Sequence, residues 1–184
     1  YPIETAAARI AAGKFFNAGQ TCIAPDYVLV PRAKRDALVD ALRQCVERSY
    51  PDFSQNPDFT SIINEGHFNR LRGMIDEARA GGARIISLPN DAAHDPARRR
   101  FAPTLVLDAP LDSRLMQEEI FGPVLPLVPY DDLDQGLQLI AALPRPLALY
   151  HFDHDRKRTR RVIAAQLAGG VNVILQPHIS VAYS

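Results

Sequence analysis

Cys22 stands in the run Phe15-Phe16-Asn17-Ala18-Gly19-Gln20-Thr21-Cys22-Ile23-Ala24-Pro25, and much later the chain reads Glu118-Glu119-Ile120-Phe121-Gly122-Pro123. A cysteine becomes a nucleophile when a fold holds its sulfur partly exposed, beside groups that favour thiolate and receive the oxyanion it generates. Gly19-Gln20 ahead of the cysteine and Pro25 behind it describe a tight approach with unusual backbone, suited to presenting such a side chain. A cysteine without these neighbours reads more simply as a small buried hydrophobe. Glu118 and Glu119 have the types of an acid/base pair, yet adjacent side chains seldom converge on one reacting atom, and a solvated turn is the plainer reading.

The two runs resemble the aldehyde dehydrogenase superfamily, whose motifs read Phe-x-Asn-x-Gly-Gln-x-Cys and Glu-Glu-Ile-Phe-Gly-Pro in this order. Pro57-Asp58-Phe59-Thr60-Ser61-Ile62-Ile63-Asn64 and Arg145-Pro146-Leu147-Ala148-Leu149-Tyr150-His151-Phe152 are similar to the group that handles fatty, aromatic and coniferyl aldehydes, and the likeness runs from about residue 5 to Val173. The resemblance implies a three-layer α/β catalytic domain with a largely parallel sheet. It makes Cys22 the catalytic nucleophile: attack on an aldehyde carbonyl gives a thiohemiacetal that expels hydride to NAD or NADP, leaving a thioester. The backbone N–H of Cys22 becomes one oxyanion donor, and Asn17 pins the turn beneath the thiol. Glu119 takes the ribose hydroxyls on the nicotinamide side, Phe121 packs against the nicotinamide ring, and Gly122-Pro123 makes the turn. A small aldehyde is the implied partner, and the full-length protein is expected to be a homo-oligomer.

These residues need elements to hold them. Ala6 to Lys14 reads as an alanine-rich helix leading into Phe15-Phe16, both expected as core anchors, and Asp26 to Val30 reads as a short strand. Leu38, Leu42 and Val46 recur at four-residue spacing in a helix from Ala33 to Arg48, which makes Cys45 a packing residue. A turn-rich stretch follows from Pro51 to Asp58. A helix from His67 to Ala80 stops at Gly81-Gly82, a strand covers Ile85 to Leu88, and Pro89 to Pro96 is a polar loop. Strands are predicted at Thr104–Leu107, Val124–Tyr130, Leu147–Phe152 and Gly170–Val173, with helices at Leu133–Leu143 and Arg156–Leu167. Such alternation is that of an α/β domain.

With 184 residues, 47% of them hydrophobic, the chain can bury one good core. Twenty-one basic residues balance 21 acidic ones, which argues against nucleic acid or an acidic membrane as partner. Arg156-Lys157-Arg158-Thr159-Arg160-Arg161 and Arg98-Arg99-Arg100 are basic runs without interleaved aromatics, so both read as surface. His151 and His154 have metal-like spacing but no further ligands nearby in sequence, and no metal is expected. No stretch approaches the ~20 apolar residues of a membrane span. A cytoplasmic setting, which keeps both cysteines as thiols, is the expectation.

Family members carry a nucleotide-binding domain, a side-chain oxyanion donor and a general-base glutamate of a Glu-Leu-Gly-Gly-Lys segment ahead of the thiol motif. They continue after Gly-Gly-Val with an Asn-Asp segment, a Pro-Phe-Gly-Gly loop and an oligomerisation tail. The chain is therefore expected to form the catalytic domain alone and to be inactive by itself as a dehydrogenase. Two other readings stay open: an assembly module that keeps the fold without catalysis, and a CoA-acylating relative with the same thiol chemistry.

Overall fold

The computed structural model describes residues 2–89, 91–165, 170–173 and 181–183. In chain order the elements are α1 (Ile3–Phe15), β1 (Tyr27–Pro31), α2 (Arg35–Ser49), α3 (Glu65–Ala80), β2 (Arg84–Ser87), β3 (Thr104–Leu107), α4 (Arg114–Gln117), β4 (Val124–Tyr130), α5 (Leu133–Ala142), β5 (Ala148–His151), α6 (Arg156–Ala165), β6 (Gly170–Val173) and β7 (Val181–Tyr183). The strands form one 7-stranded sheet in the order β2-β3-β4-β1-β7-β5-β6. β3, β4 and β1 are mutually parallel and β5 pairs parallel with β6, while β7 bridges the two groups antiparallel to both neighbours. Hence β1, β3, β4, β5 and β6 all point one way and only β2 and β7 oppose them, the largely parallel α/β sheet that alternating helices and strands imply.

Alternate residues of the central strands build the two faces. Val28 and Val30 of β1 and Leu125 and Leu127 of β4 pack under α1 and α2, where Leu38 and Leu42 are fully buried. Each such leucine removed from water contributes about 2 kcal/mol. On the opposite face Val106 and Val124 meet Phe68, Leu71 and Met74 of α3, while Tyr27 and Leu29 meet Ile140 of α5 and Val162 of α6. Three layers result, with the start of β1 and the start of β4 near the middle of the sheet. β4 keeps its place between β3 and β1 although Pro126 and Pro129 offer no donor to the ladder.

The structure corrects the sequence reading in several places. Phe15 is buried, but Phe16 is 69% exposed, because α1 ends at Phe15 and the chain turns away from the core there. The helix expected from Ala33 begins as a separate 3-10 turn, Arg32–Lys34, and becomes α-helical only at Arg35. Helix α3 starts at Glu65, earlier than His67, because the Asn64 side chain caps it by accepting from the His67 N–H at 2.7 Å. The short turn α4 and strand β7 are additions. The last two residues of the helix expected at Arg156–Leu167 lie outside the described residues.

Candidate active site

The thiol loop is produced by backbone that few residues accept. After α1, Asn17 (φ 50°), Ala18 (φ 51°) and Gly19 (φ 72°) sit consecutively in the left-handed region, which reverses the chain and brings Cys22 out at the surface as a free, exposed thiol. Asn17 is well suited to this conformation, and its Nδ2 donates to the Gln20 carbonyl at 3.1 Å. The expected pinning by Asn17 is therefore realised. Gln20 ties the loop to a neighbouring segment, donating from Nε2 to the Ser61 carbonyl at 3.1 Å and accepting the Ile63 N–H at 2.9 Å.

Gly19 also decides what the loop touches. A Cβ placed on it would lie 2.3 Å from the carbonyl oxygen of Gly122. Only a glycine can approach so closely, and the approach brings the loop bearing Cys22 against the turn bearing Glu119 and Phe121. Asp26, just beyond the thiol and buried, reinforces this junction by accepting the Ile120 N–H at 3.0 Å. Glu119 is exposed and Phe121 half-buried, with Phe121 at φ 48°. The three predicted site residues thus lie on two segments in direct contact. Glu118 is taken up by arginines: it accepts from Arg114 Nε at 3.0 Å, a hydrogen bond that holds its carboxyl below the usual range, and its Oε2 lies 3.8 Å from Arg70 Nη1. The adjacent glutamates do not act as a pair.

Four participants in this arrangement were not singled out from the sequence: Lys14, Asp26, His67 and Arg70. Lys14 had a legible signal, since it follows Ile10 and Ala7 on the apolar stripe of α1, where a lysine needs a reason. It is fully buried, and its Nζ has no hydrogen-bond partner among the described residues. Burial lowers its pKa from the ordinary 10.5 to about 8, opposed by the negative charges of Asp26 and Glu119. That drop corresponds to roughly 3 kcal/mol against holding the ammonium in the fold. Below pH 8 the penalty is constant. From pH 8 to 10.5 the unfolded chain holds the proton that the folded chain has released, so stability rises with pH. Lys14→Met is accordingly expected to be most favourable relative to wild type at pH 7, with the advantage fading towards pH 10.5. Urea unfolding at a series of pH values measures it, and a difference that does not change with pH would contradict this account.

Apolar side chains stand open on and beside the loop that carries the thiol. Phe16, Ile23 (54% exposed) and Ile63 (70% exposed) flank the loop. Phe16, Thr21 and Ile23 also line a groove of about 440 Å³ with Tyr150 and Phe152 at its far side. A separate cavity of about 320 Å³, between β1, β4, α5 and α6, shares none of the loop's residues. Cys45 is buried on α2. Of the basic run, Arg158 pairs with Asp153 and Asp155, and Arg161 with Asp134. Among the described residues no group of three metal-ligating side chains gathers and no helix is long and apolar enough to cross a membrane.

Comparison with known proteins gives this geometry a context. The sequence model described as the aldehyde dehydrogenase family matches residues 2–181. A probable coniferyl aldehyde dehydrogenase of Pseudomonas aeruginosa is 46% identical over 92% of this chain and 35% of its own length. The dimeric NADP-preferring aldehyde dehydrogenase of Rattus norvegicus is 38% identical over 92% of this chain and 36% of its own length. The substrate-bound structure of Staphylococcus aureus AldH superposes with a TM-score of 0.85 at 38% identity, covering 96% of this chain and 37% of that one. The chain spans about a third of the length of the curated relatives it matches.

Proposed function

Because the chain belongs to the aldehyde dehydrogenase family, we propose that it forms the thiol-bearing catalytic domain of an NAD(P)-dependent enzyme that oxidises an aromatic or long-chain aldehyde, coniferyl-like in type, to its carboxylic acid. The observation that carries this reading is the contact of Gly19 with Gly122, which joins the Cys22 loop to the Glu119–Phe121 turn. In the proposed reaction Cys22 Sγ attacks the aldehyde carbon, and the carbonyl oxygen takes up negative charge beside the Cys22 backbone N–H. An exposed carboxylate and a half-buried aromatic ring at the adjoining turn fit a sugar diol and a flat heteroaromatic ring. Glu119 would hold the ribose and Phe121 the face of the ring. A bound nicotinamide supplies the hydride acceptor that carries the thiohemiacetal carbon to the acyl level. Release of acid from Cys22 then needs water and a general base.

The apolar rim of Phe16, Ile23 and Ile63 supports an aldehyde with an aromatic or extended hydrocarbon body. The names of the relatives support a nicotinamide cofactor and an oligomeric whole protein, and a catalytic thiol suits a reducing, cytoplasmic compartment. Glu119→Gln in the full-length protein tests the site. It is expected to lower kcat by about tenfold with little change in the aldehyde KM, because a loosened ribose misplaces the hydride acceptor. An unchanged kcat would remove Glu119 from the proposed role.

A further inference from the structure

The turn at 118–123 carries the nicotinamide-side residues but belongs to no helix or strand, and Phe121 is held in a conformation that a bulky residue avoids. Something outside the turn must over-determine it. Its successive backbone groups are taken up by side chains from elsewhere. Asp26 accepts the Ile120 N–H. Arg70 donates from Nη1 to the Glu119 carbonyl at 3.1 Å and from Nη2 to the Ile120 carbonyl. His67 Nε2 lies 2.7 Å from the Phe121 carbonyl. A carbonyl can only accept, so this nitrogen carries the proton, which leaves Nδ1 to accept from Arg70 Nε at 3.4 Å.

We propose that Arg70, braced by His67, is a positioning residue for hydride transfer: it fixes the backbone of Glu119 and Ile120 so that Phe121 and the Glu119 carboxylate keep their place relative to Cys22. The proposal rests on the reading of this turn as the nicotinamide side of the site. Its physical basis is the fork of the guanidinium, which reaches two consecutive carbonyls at once and orders the turn in a way a single ammonium cannot. His67 is in turn set by the Asn64 cap, so the first turn of α3 forms a rigid mount. Backbone bonds anchor the ends of the turn, from the Glu118 N–H to the Arg114 carbonyl at 2.9 Å and from the Thr104 N–H to the Pro123 carbonyl at 2.8 Å. Side chains hold its middle residues, so the loss of Arg70 frees two carbonyls together. The Cys22 loop has its own supports in Asn17 and Gln20, so loosening the turn should leave the nucleophile in place.

The test compares wild type, Arg70→Met, Arg70→Lys and His67→Leu in the full-length protein. Three quantities are read: amide hydrogen exchange of the 118–123 segment, the rate at which iodoacetamide alkylates Cys22, and kcat and KM for aldehyde oxidation. Arg70→Met is expected to speed exchange in that segment by about tenfold or more. It should lower kcat by about tenfold to a hundredfold with the aldehyde KM and the alkylation rate near wild type. Arg70→Lys should recover part of both losses, and His67→Leu should fall between Arg70→Met and wild type. Exchange and kcat both unchanged in Arg70→Met would overturn the proposal, as would equal losses in Arg70→Lys and Arg70→Met. Were Arg70→Met to unfold, Arg70→Lys and His67→Leu decide by the same readouts. A wild-type protein that does not oxidise aldehydes would refute the proposed function instead, and exchange in the variants would still decide whether Arg70 holds the turn.

Discussion

Cys22→Ala abolishes covalent capture of an aldehyde or an activated ester, while Cys45→Ala leaves it intact. The expectation follows from the different positions of the two thiols. Cys22 is exposed at the end of a left-handed reversal, next to its own backbone N–H, whereas Cys45 is buried on α2. Intact-mass spectrometry of the 184-residue chain after treatment with an activated ester should show one acyl adduct in wild type and none in Cys22→Ala. Loss of the sulfur removes the bond-forming atom, so the effect is complete rather than graded. The chain alone should accumulate this adduct without sustained NADH formation, since acylation needs only the thiol and a local oxyanion donor, while turnover needs a bound cofactor and a base. An adduct that survives Cys22→Ala and vanishes in Cys45→Ala would reverse the assignment of the nucleophile.

Gly19→Ala is expected to cost about 3 kcal/mol in stability and to end the covalent chemistry that depends on loop geometry. Two terms add. A Cβ at this position would press to 2.3 Å on the Gly122 carbonyl oxygen and 2.6 Å on its carbon, both backbone atoms that cannot rotate aside. Overpacking of this kind costs ~1–3 kcal/mol, and holding an alanine at φ 72° adds ~1–2 kcal/mol. Gly82→Ala provides the comparison. Gly82 also has positive φ, at 96°, but a Cβ there meets nothing within 4 Å, so only the backbone term applies and the cost should stay near ~1 kcal/mol. Chemical unfolding of both variants measures the difference. Equal losses would mean that the contact between loop and turn contributes nothing beyond backbone strain.

The regular elements of this fold were legible because their signals are local. The four-residue spacing of Leu38, Leu42 and Val46 marks α2, and the apolar runs at Thr104–Leu107 and Val124–Tyr130 coincide with β3 and β4. A single helical turn such as Arg114–Gln117 is too short to show a period, and β7 joins the sheet by pairing with β1 and β5, remote in sequence. Phe16 reads as a core anchor because it stands beside Phe15 at the end of an apolar helix, but α1 stops at Phe15 and Phe16 already has extended backbone ahead of the left-handed residues that begin at Asn17. Motif resemblance pointed to Cys22, Glu119 and Phe121. Arg70, His67 and Asp26 carry no such mark: each acts by bonding to a backbone group far along the chain, and a backbone contact leaves no preference for its partner's side chain to betray it.

The open side chains on and beside the thiol loop have a meaning for the protein's history. Phe16, Ile23 and Ile63 leave more than half of their surface open among the described residues, whereas the loop that carries Cys22 is fixed by glycine geometry and by bonds to Ser61 and Ile63 backbone atoms. A lineage can therefore exchange these three side chains freely, at little thermodynamic cost. On the proposed reading of the site, selectivity among aldehydes would drift by small steps at the rim while the reactive core is inherited unchanged. Such a division lets one scaffold diversify without first having to be restabilised.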